Sequence, residues 1–162
     1  MKEIYLAGGC FWGVQRFFDQ FDGVVQTQTG YANGPGDEVT YKEVCQNSGH
    51  AETVKIVYDE TKIGLAQLLE YYFMVIDPLS LNKQGEDEGV QYRTGVYYTD
   101  AGDVDAIKRA FDAEQAKIGA PLRVELLPLK NFCAAEEYHQ KYLEKNPTGY
   151  CHIPKALLNL KP

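Results

Sequence analysis

Hydrophobic positions along the chain follow two patterns: short apolar or β-branched runs, and apolar residues spaced three or four apart. The first pattern is typical of strands and the second of amphipathic helices. The runs predict strands at residues 3–7, 24–31, 53–58, 94–98 and 123–127. The helical spacing predicts helices at residues 11–22, 65–76, 104–118 and 134–144. Two polar stretches, 32–49 and 77–92, are predicted to be long loops, which in a compact domain are usually functional.

The order of these elements, β-α-β-β-α-β-α-β-α, predicts the fold class. Strands that follow one another directly within such a series indicate a mixed sheet with helices packed on it. The expected fold is therefore α+β, with a split β-α-β core of the ferredoxin-like plait type. The length suits a single domain over residues 1–162, and the Pro- and Gly-broken segment 146–162 is expected to be an irregular tail.

Charge and apolar content narrow the possible partners. The net charge of -7, from 23 acidic and 16 basic residues, argues against binding to nucleic acid or to an anionic membrane. No apolar run of about 18 residues occurs, and the start of the chain, MKEIYLAGG, is interpreted as a first strand and not as a signal peptide. A cytoplasmic location is expected, where cysteines are mostly reduced and a disulfide is usually transient and catalytic.

Cys10 is the strongest candidate for a reactive group. It follows Gly8 and Gly9 and begins the first predicted helix directly after a strand. The unpaired N–H groups of a first helical turn and the helix dipole favour a thiolate, which is the nucleophilic form of cysteine. Phe11 and Trp12 would form an apolar wall beside the sulfur. On these local features alone, a buried structural cysteine at a strand–helix junction remains open.

The sequence contains no pattern typical of a resident metal or nucleotide. No Cys-x-x-Cys pair and no His-Glu-x-x-His motif occurs, although four cysteines and three histidines are present. The segment Gly34–Gly36 is not followed by Lys-Ser or Lys-Thr, as a phosphate-binding loop would require. No cofactor is therefore expected.

Eight short motifs, spread over nearly the whole chain, occur in a fixed order. They are GCFWG at 9–13, GYANG at 30–34, TYKEVC at 40–45, GHAE at 49–52, QYR at 91–93, YHQ at 138–140, NP at 146–147 and GYC at 149–151. Together they resemble the class A peptide methionine sulfoxide reductases, from residue 3 to about residue 152. The resemblance implies an oxidoreductase that reduces methionine S-sulfoxide, free or in proteins. It further implies a Cys10 sulfenic acid and an intramolecular disulfide that a thioredoxin-type reductant recycles.

The resemblance also implies roles for several polar residues. Because an oxide is a very poor leaving group, the sulfoxide oxygen must be protonated as the sulfur is attacked. Glu52 matches the family's catalytic acid, and partial burial at its loop-to-strand junction could raise its pKa. Tyr41 and Tyr92 match tyrosines that donate hydrogen bonds to that oxygen. Asp87 matches an acidic residue that helps to hold it.

The resemblance assigns further roles to cysteines and aromatic residues. Phe11 and Trp12 would form the pocket for the substrate methyl group. Cys151 matches the family's resolving thiol, which condenses with the sulfenic acid, and Cys133 stays the alternative for that role. Cys45 and Cys133 are otherwise expected to be packed, buried thiols, and the protein is expected to be a monomer.

Two rival functions remain open from the residues. A Cys-dependent hydrolase or acyltransferase would need a base such as His50 oriented on Cys10, whereas His50 is expected to be structural. A non-catalytic redox sensor would use only a Cys10–Cys151 pair. Among the other histidines, His139 is expected to make packing or capping contacts, and His152 is expected to be exposed.

Overall fold

A computed structural model describes residues 1–160 and contains eight strands and five α-helices in that part of the chain. The strands are β1 Lys2–Gly8, β2 Val24–Ala32, β3 Ala51–Tyr58, β4 Lys83–Gln84, β5 Asp87–Glu88, β6 Thr94–Tyr98, β7 Glu125–Pro128 and β8 Phe132–Ala134. The helices are α1 Phe11–Phe18, α2 Tyr41–Cys45, α3 Leu65–Met74, α4 Val104–Ile118 and α5 Tyr142–Lys145. Short 3₁₀ helices lie at Val90–Tyr92, Ala101–Asp103, Glu137–His139 and Lys155–Asn159. The predicted tail reaches residue 162, so its last two residues lie outside the described ones.

Six of the strands form one mixed sheet in the order β7-β6-β1-β3-β2-β8. Neighbouring strands are antiparallel except β6 and β7, which are parallel. The remaining pair, β4 and β5, forms a small separate hairpin. The expectation of an α+β fold with a mixed sheet and packed helices is confirmed.

Alternation along β1 separates two apolar layers. Ile4 and Leu6 point to the larger layer, where they are fully buried with Phe17 and Phe18 of α1 and with side chains of α3 and α4. Tyr5 and Ala7 point to the opposite face, in a smaller cluster. Each fully buried large side chain contributes about 1.5–3 kcal/mol. Within residues 1–160, no helix is both long and apolar enough to cross a membrane.

The predicted helix over 134–144 is wrong. That segment holds the end of β8, the turn Glu137–His139 and the four-residue helix α5. Gln140 is held by β2, because its side chain accepts from the Thr29 N–H at 3.0 Å and donates to the Thr29 carbonyl at 3.0 Å. Lys141 has a left-handed φ of 56°, which interrupts any continuous helix. Tertiary hydrogen bonds therefore outweigh the local helical pattern here.

The two predicted loops contain short ordered elements. In the first loop, Thr40 caps α2 in a reciprocal capping box with Glu43, so that α2 begins at Tyr41. In the second, the β4–β5 hairpin leads into the turn Val90–Tyr92. Both loops thereby place tyrosines at fixed positions.

Candidate active site

Cys10 lies at the junction between β1 and α1. It is the N-cap residue of α1, with an extended backbone, and it is 7% exposed. The preceding Gly9 has a φ of 82°, and a Cβ there would lie 2.8 Å from the Gln84 Cβ atom. A left-handed backbone packed this closely against a neighbouring loop requires glycine. The turn therefore fixes the sulfur at the end of the central strand.

The resting form of Cys10 differs from the expectation. Burial raises the pKa of the Cys10 thiol well above its ordinary value, and the nearby Glu52 carboxyl group raises it further when it is ionised. The Trp12 N–H group at the start of α1 favours the thiolate but does not outweigh these two causes. The prediction of a thiolate set by the helix start is therefore wrong for the resting protein, in which Cys10 is a thiol.

Glu52 supplies a buried acid next to this thiol. It lies on β3, is 2% exposed, and accepts a hydrogen bond at Oε1 from the Phe11 N–H group at 3.2 Å. Burial raises the pKa of Glu52 to about 8, the Phe11 N–H group opposes this rise, and the charge of Asp87 adds to it. At neutral pH the carboxyl group therefore carries a proton that it can donate.

Tyr41 and Tyr92 approach the carboxyl group from the two loops. The ring of Tyr41 packs 4.4 Å from that of His139. Burial raises the pKa of both hydroxyls, and the charge of Glu52 is among the further causes for each. Both hydroxyls therefore lie within electrostatic reach of Glu52 and remain protonated hydrogen-bond donors at neutral pH.

Asp87 connects the second loop to the C-terminal tail. Its Oδ2 atom accepts a hydrogen bond from the Tyr150 hydroxyl at 2.9 Å. Its charge is also among the causes that raise the pKa values of Cys10, Glu52 and Tyr92. The structure thus brings Asp87 to the same site. Tyr150 was missed by the sequence reasoning, although it stands in the GYC motif.

An aromatic wall borders the site at α1. Phe11 is buried, with its ring 5.2 Å from the ring of His139. Trp12 is half-buried, stacks on Tyr142 at 3.8 Å and donates from Nε1 to Nδ1 of His139 at 3.0 Å. Because Nδ1 accepts, neutral His139 carries its proton on Nε2. These contacts fix the two aromatic side chains that follow Cys10 in the chain.

Cys151 is docked against the same helix. A Cβ atom on Gly13 would lie 3.0 Å from the Cys151 Sγ atom, so the tail approaches α1 as closely as a glycine permits. Cys151 is half-buried, and its charge is among the causes that raise the Cys10 pKa. Cys133 lies on β8 with Sγ 3.6 Å from the Val39 carbonyl oxygen, and it is half-buried. The expectation that Cys45 is buried is wrong, because its residue is exposed at the end of α2.

The profile of a known protein family matches residues 2–161, and that family is described as peptide methionine sulfoxide reductase. This chain belongs to that family. It is similar to the peptide methionine sulfoxide reductase MsrA of Clostridium acetobutylicum, with 56% identity over 159 residues and 98% of each chain covered.

Solved structures in the same family share the fold. Mxr1 from Saccharomyces cerevisiae in reduced form has a TM-score of 0.88 and 38% identity, covering 93% of this chain and 88% of that one. A structure of Mxr1 in complex with Trx2 has a TM-score of 0.63 and 25% identity, covering 87% of this chain and 84% of that one. The mixed sheet and its packed helices are therefore those of the family.

The histidines of this family member have distinct surroundings. Both ring nitrogens of His50 are engaged, at 2.9 Å from the Ser48 hydroxyl and 2.9 Å from the Gly36 carbonyl oxygen, so His50 holds its own loop. The expectation that His152 is exposed is wrong. Its ring packs against the glycine turn before Cys10, and both ring nitrogens are buried. A single Cys-His dipeptide in a Pro-broken tail gives no sequence signal for that docking.

Proposed function

We propose that this protein reduces methionine S-sulfoxide, free or in exposed protein segments, to methionine, with Cys10 as the nucleophile. The observation that carries the proposal is a buried thiol beside a buried carboxyl group that keeps its proton at neutral pH. This pairing suits a reaction in which a sulfur is attacked while an oxygen is protonated. Membership of the peptide methionine sulfoxide reductase family supplies the substrate class.

In the first step, the Cys10 thiol loses its proton as its sulfur attacks the sulfoxide sulfur, and Glu52 donates its own proton to the oxygen. An S–S bond forms, and the sulfoxide oxygen becomes a hydroxyl group on the substrate sulfur. Tyr41 and Tyr92 donate hydrogen bonds to that oxygen as negative charge develops on it, and Asp87 helps to hold it. That S–S bond then breaks as the hydroxyl group is transferred from the substrate sulfur to Cys10, which becomes a sulfenic acid while methionine is released. The proton lost by the Cys10 thiol restores the protonated form of Glu52. Cys10 is thereby oxidised by two electrons and the sulfoxide is reduced by two.

In the second step, the Cys151 thiol attacks the sulfenic acid, a disulfide forms and water leaves. A thioredoxin-type reductant then reduces the disulfide by thiol exchange. The position of the Cys151 sulfur against Gly13 in the first turn of α1 supports its assignment as the resolving thiol. The similarity to Mxr1, whose structure was solved in complex with Trx2, supports the choice of reductant.

The proposal also covers the substrate pocket, the topology of the core, and the location and oligomeric state of the protein. Phe11 and Trp12, fixed by His139 and Tyr142, would hold the substrate methyl group. The strand order β6-β1-β3-β2, connected through α1 and α3, supports a split β-α-β plait at the core of one domain over residues 1–162. A cytoplasmic monomer suits four free cysteines.

Three serine variants test this proposal. Cys10→Ser should abolish methionine formation, because no other group can accept the oxygen. Cys151→Ser should still release about one methionine per enzyme but lose turnover driven by thioredoxin, which attacks disulfides. Cys45→Ser, at an exposed thiol, is the matched control. Serine keeps a hydrogen-bonding group for the contact with Tyr41, so this variant should retain turnover. Methionine release is measured by rapid quench, and turnover by reductant consumption.

The outcomes separate the rivals. Retained methionine formation in Cys10→Ser would refute the proposal, and a Cys10–Cys133 bridge in peptide maps of the oxidised protein would move the resolving role to Cys133. A protein that oxidises once and consumes no reductant with substrate is a redox sensor. Thioester hydrolysis without sulfoxide reduction would indicate a hydrolase.

A further inference from the structure

The imidazole of His152 occupies a slot formed by three glycines around the nucleophile. A Cβ on Gly9 would lie 3.2 Å from its Nε2 atom, and one on Gly13 would lie 3.5 Å from its Cε1 atom. Gly85, in the β4–β5 hairpin, closes the slot with a Cβ position 3.8 Å from the His152 Cβ atom. Because Gly9 precedes Cys10 and Gly13 lies one turn after it, the ring flanks the start of α1.

The same Gly13 position also contacts the Cys151 sulfur, at 3.0 Å. The Cys151 Sγ atom and the Cε1 edge of the His152 ring therefore lie against one point on α1. The Cys151 thiol itself donates to the Ile153 carbonyl oxygen at 3.5 Å, so the sulfur and the ring share a place on α1 without a hydrogen bond between them. The tail thus presents a thiol and an imidazole together to the helix that carries Cys10.

Both ring nitrogens of His152 are buried, and among residues 1–160 neither makes a hydrogen bond of good geometry, although the Gly8 carbonyl lies close enough to act on the ring. A buried polar atom without a partner costs about 1–3 kcal/mol. An apolar side chain would fill the slot without this cost. His50, by contrast, has both ring nitrogens in good hydrogen bonds. The poorly paired ring of His152, near the two site cysteines, therefore calls for a functional explanation.

The charges around the ring favour its neutral form. Burial lowers the pKa of His152, whereas Asp87 of β5 and the Gly8 carbonyl of β1 oppose this effect without outweighing it. Burial raises the pKa of Cys151, opposed by contacts at Ile153 and by the Arg16 charge of α1. A neutral imidazole thus adjoins a thiol that rarely ionises on its own near neutral pH.

We propose that His152 accepts the proton of the Cys151 thiol as that thiol attacks oxidised Cys10. The step rests on the proposed function. The S–S bond forms while the S–O bond of the Cys10 sulfenic acid breaks, and the oxygen leaves as hydroxide. The proton held by His152 passes on to this hydroxide, which leaves as water. Cys151 is oxidised, Cys10 is reduced, and the neutral ring is restored.

The test follows disulfide formation in a single turnover of the full-length protein. One equivalent of methionine sulfoxide is added without reductant, and methionine and remaining thiols are counted in quenched samples. His152→Gln keeps a polar side chain of similar length but cannot accept a proton. It should release methionine as wild type does, whereas its loss of thiols should be at least about tenfold slower near pH 7, in the range typical of general-base loss.

The pH profile separates proton transfer from packing. Without the base, the rate depends on the thiolate fraction of Cys151, whose pKa is raised. The wild-type to His152→Gln rate ratio should fall about tenfold per pH unit from near pH 7 and approach one at high pH. Gly13→Ala displaces the tail but retains the imidazole, so it should lower the rate by one factor at every pH.

The control is Lys155→Ala, a substitution of an exposed residue in the same tail. This variant should form the disulfide at the wild-type rate. Equal rates of thiol loss in His152→Gln and wild type would overturn the inference and leave the proposed function intact. A rate ratio that stays constant with pH, or a pH-dependent ratio in Gly13→Ala, would also overturn it. If wild type releases no methionine, the proposed function itself fails.

Discussion

Glu52 and Glu136 are both neighbours of Tyr31, yet their surroundings shift the pKa values of their carboxyl groups in opposite directions. Tyr31 pairs with Glu52 across β2 and β3, and its hydroxyl donates to Oε1 of Glu136 at 2.8 Å. The other oxygen of Glu136 accepts from the Tyr41 N–H at 3.0 Å. Burial acts to raise the pKa of Glu136, but these donors outweigh it and the pKa is lowered. Glu52 has one backbone donor, more complete burial and a pKa of about 8.

The difference shows that burial, together with the supply of hydrogen-bond donors, decides which carboxyl group can act as an acid. A carboxylate with several donors stays ionised and holds structure, whereas one with a single donor in an apolar place keeps its proton. Glu136 fixes the N-terminus of α2 through Tyr41. Glu52 is left available for chemistry. In the proposed reaction, Glu136 anchors the loop and Glu52 donates the proton.

The largest expected effect is a difference in enzymatic activity between variants of the two carboxyl groups. Glu52→Gln should slow sulfoxide reduction at least about a hundredfold, because an amide cannot deliver a proton. Glu136→Gln should slow it by less than about tenfold, because it weakens two hydrogen bonds worth about 1 kcal/mol each. The measurement is kcat/KM with free methionine sulfoxide. Alkylation of Cys10 by a small reagent is the control and should survive in both variants.

Near-equal rates in the two variants would break the comparison, since the donor-poor carboxyl group would then have no special role. A loss of Cys10 alkylation in Glu52→Gln would assign its defect to the thiol and not to the missing proton.

The free energy of unfolding should also distinguish Glu52 from Glu136, because the two pKa shifts have opposite effects on stability. The pKa of Glu52 is raised in the folded protein to about 8, whereas in the unfolded chain it is near 4.3. Below both values the carboxyl group is protonated in either state. As the pH rises toward 8, only the unfolded chain ionises, so the wild type loses stability. Glu52→Gln abolishes this loss and should gain a few kcal/mol relative to wild type between about pH 5 and pH 8.

Glu136→Gln should instead lose stability relative to wild type, by an amount that stays nearly constant between about pH 5 and pH 8. The lowered pKa of Glu136 contributes stability that is present above the unfolded value and is lost as the pH falls. Urea unfolding of both variants and wild type under reducing conditions, near pH 5 and pH 8, measures both shifts. Parallel shifts in the two variants would contradict the assigned protonation states.

Local periodicity predicted the strands and long helices because their apolar spacing is sustained. The helix Val104–Ile118 has the predicted bounds, and β6 at Thr94–Tyr98 also does. The helix start at Cys10 was also predicted, but its effect on the thiol was not. Burial and the carboxyl group of Glu52, which is distant in sequence, raise the Cys10 pKa more than the local N–H groups lower it. Long-range interactions of this kind leave no periodic pattern in the sequence.

The C-terminal third was predicted least well, for the same reason. The segment after β8 follows hydrogen bonds of Gln140 to β2 instead of its own helical spacing. The burial of His152 depends on three glycines from three different elements. The capping box of Thr40 and Glu43, by contrast, was a local signal that could have predicted α2.

The smallest expected effect compares the two tyrosines that border these carboxyl groups. Tyr41→Phe removes a hydroxyl within electrostatic reach of Glu52, while Tyr92 can still donate a hydrogen bond to the sulfoxide oxygen. The value of kcat/KM should therefore fall by about tenfold, which is less than the loss expected when a single oxyanion donor is removed. Tyr31→Phe removes the donor to Glu136 and should cost about 1 kcal/mol of stability with little change in kcat/KM. Steady-state kinetics and urea unfolding of both variants check this pair. If Tyr31→Phe lowers kcat/KM as much as Tyr41→Phe does, the Glu136 network takes part in the reaction and the division between anchor and acid fails.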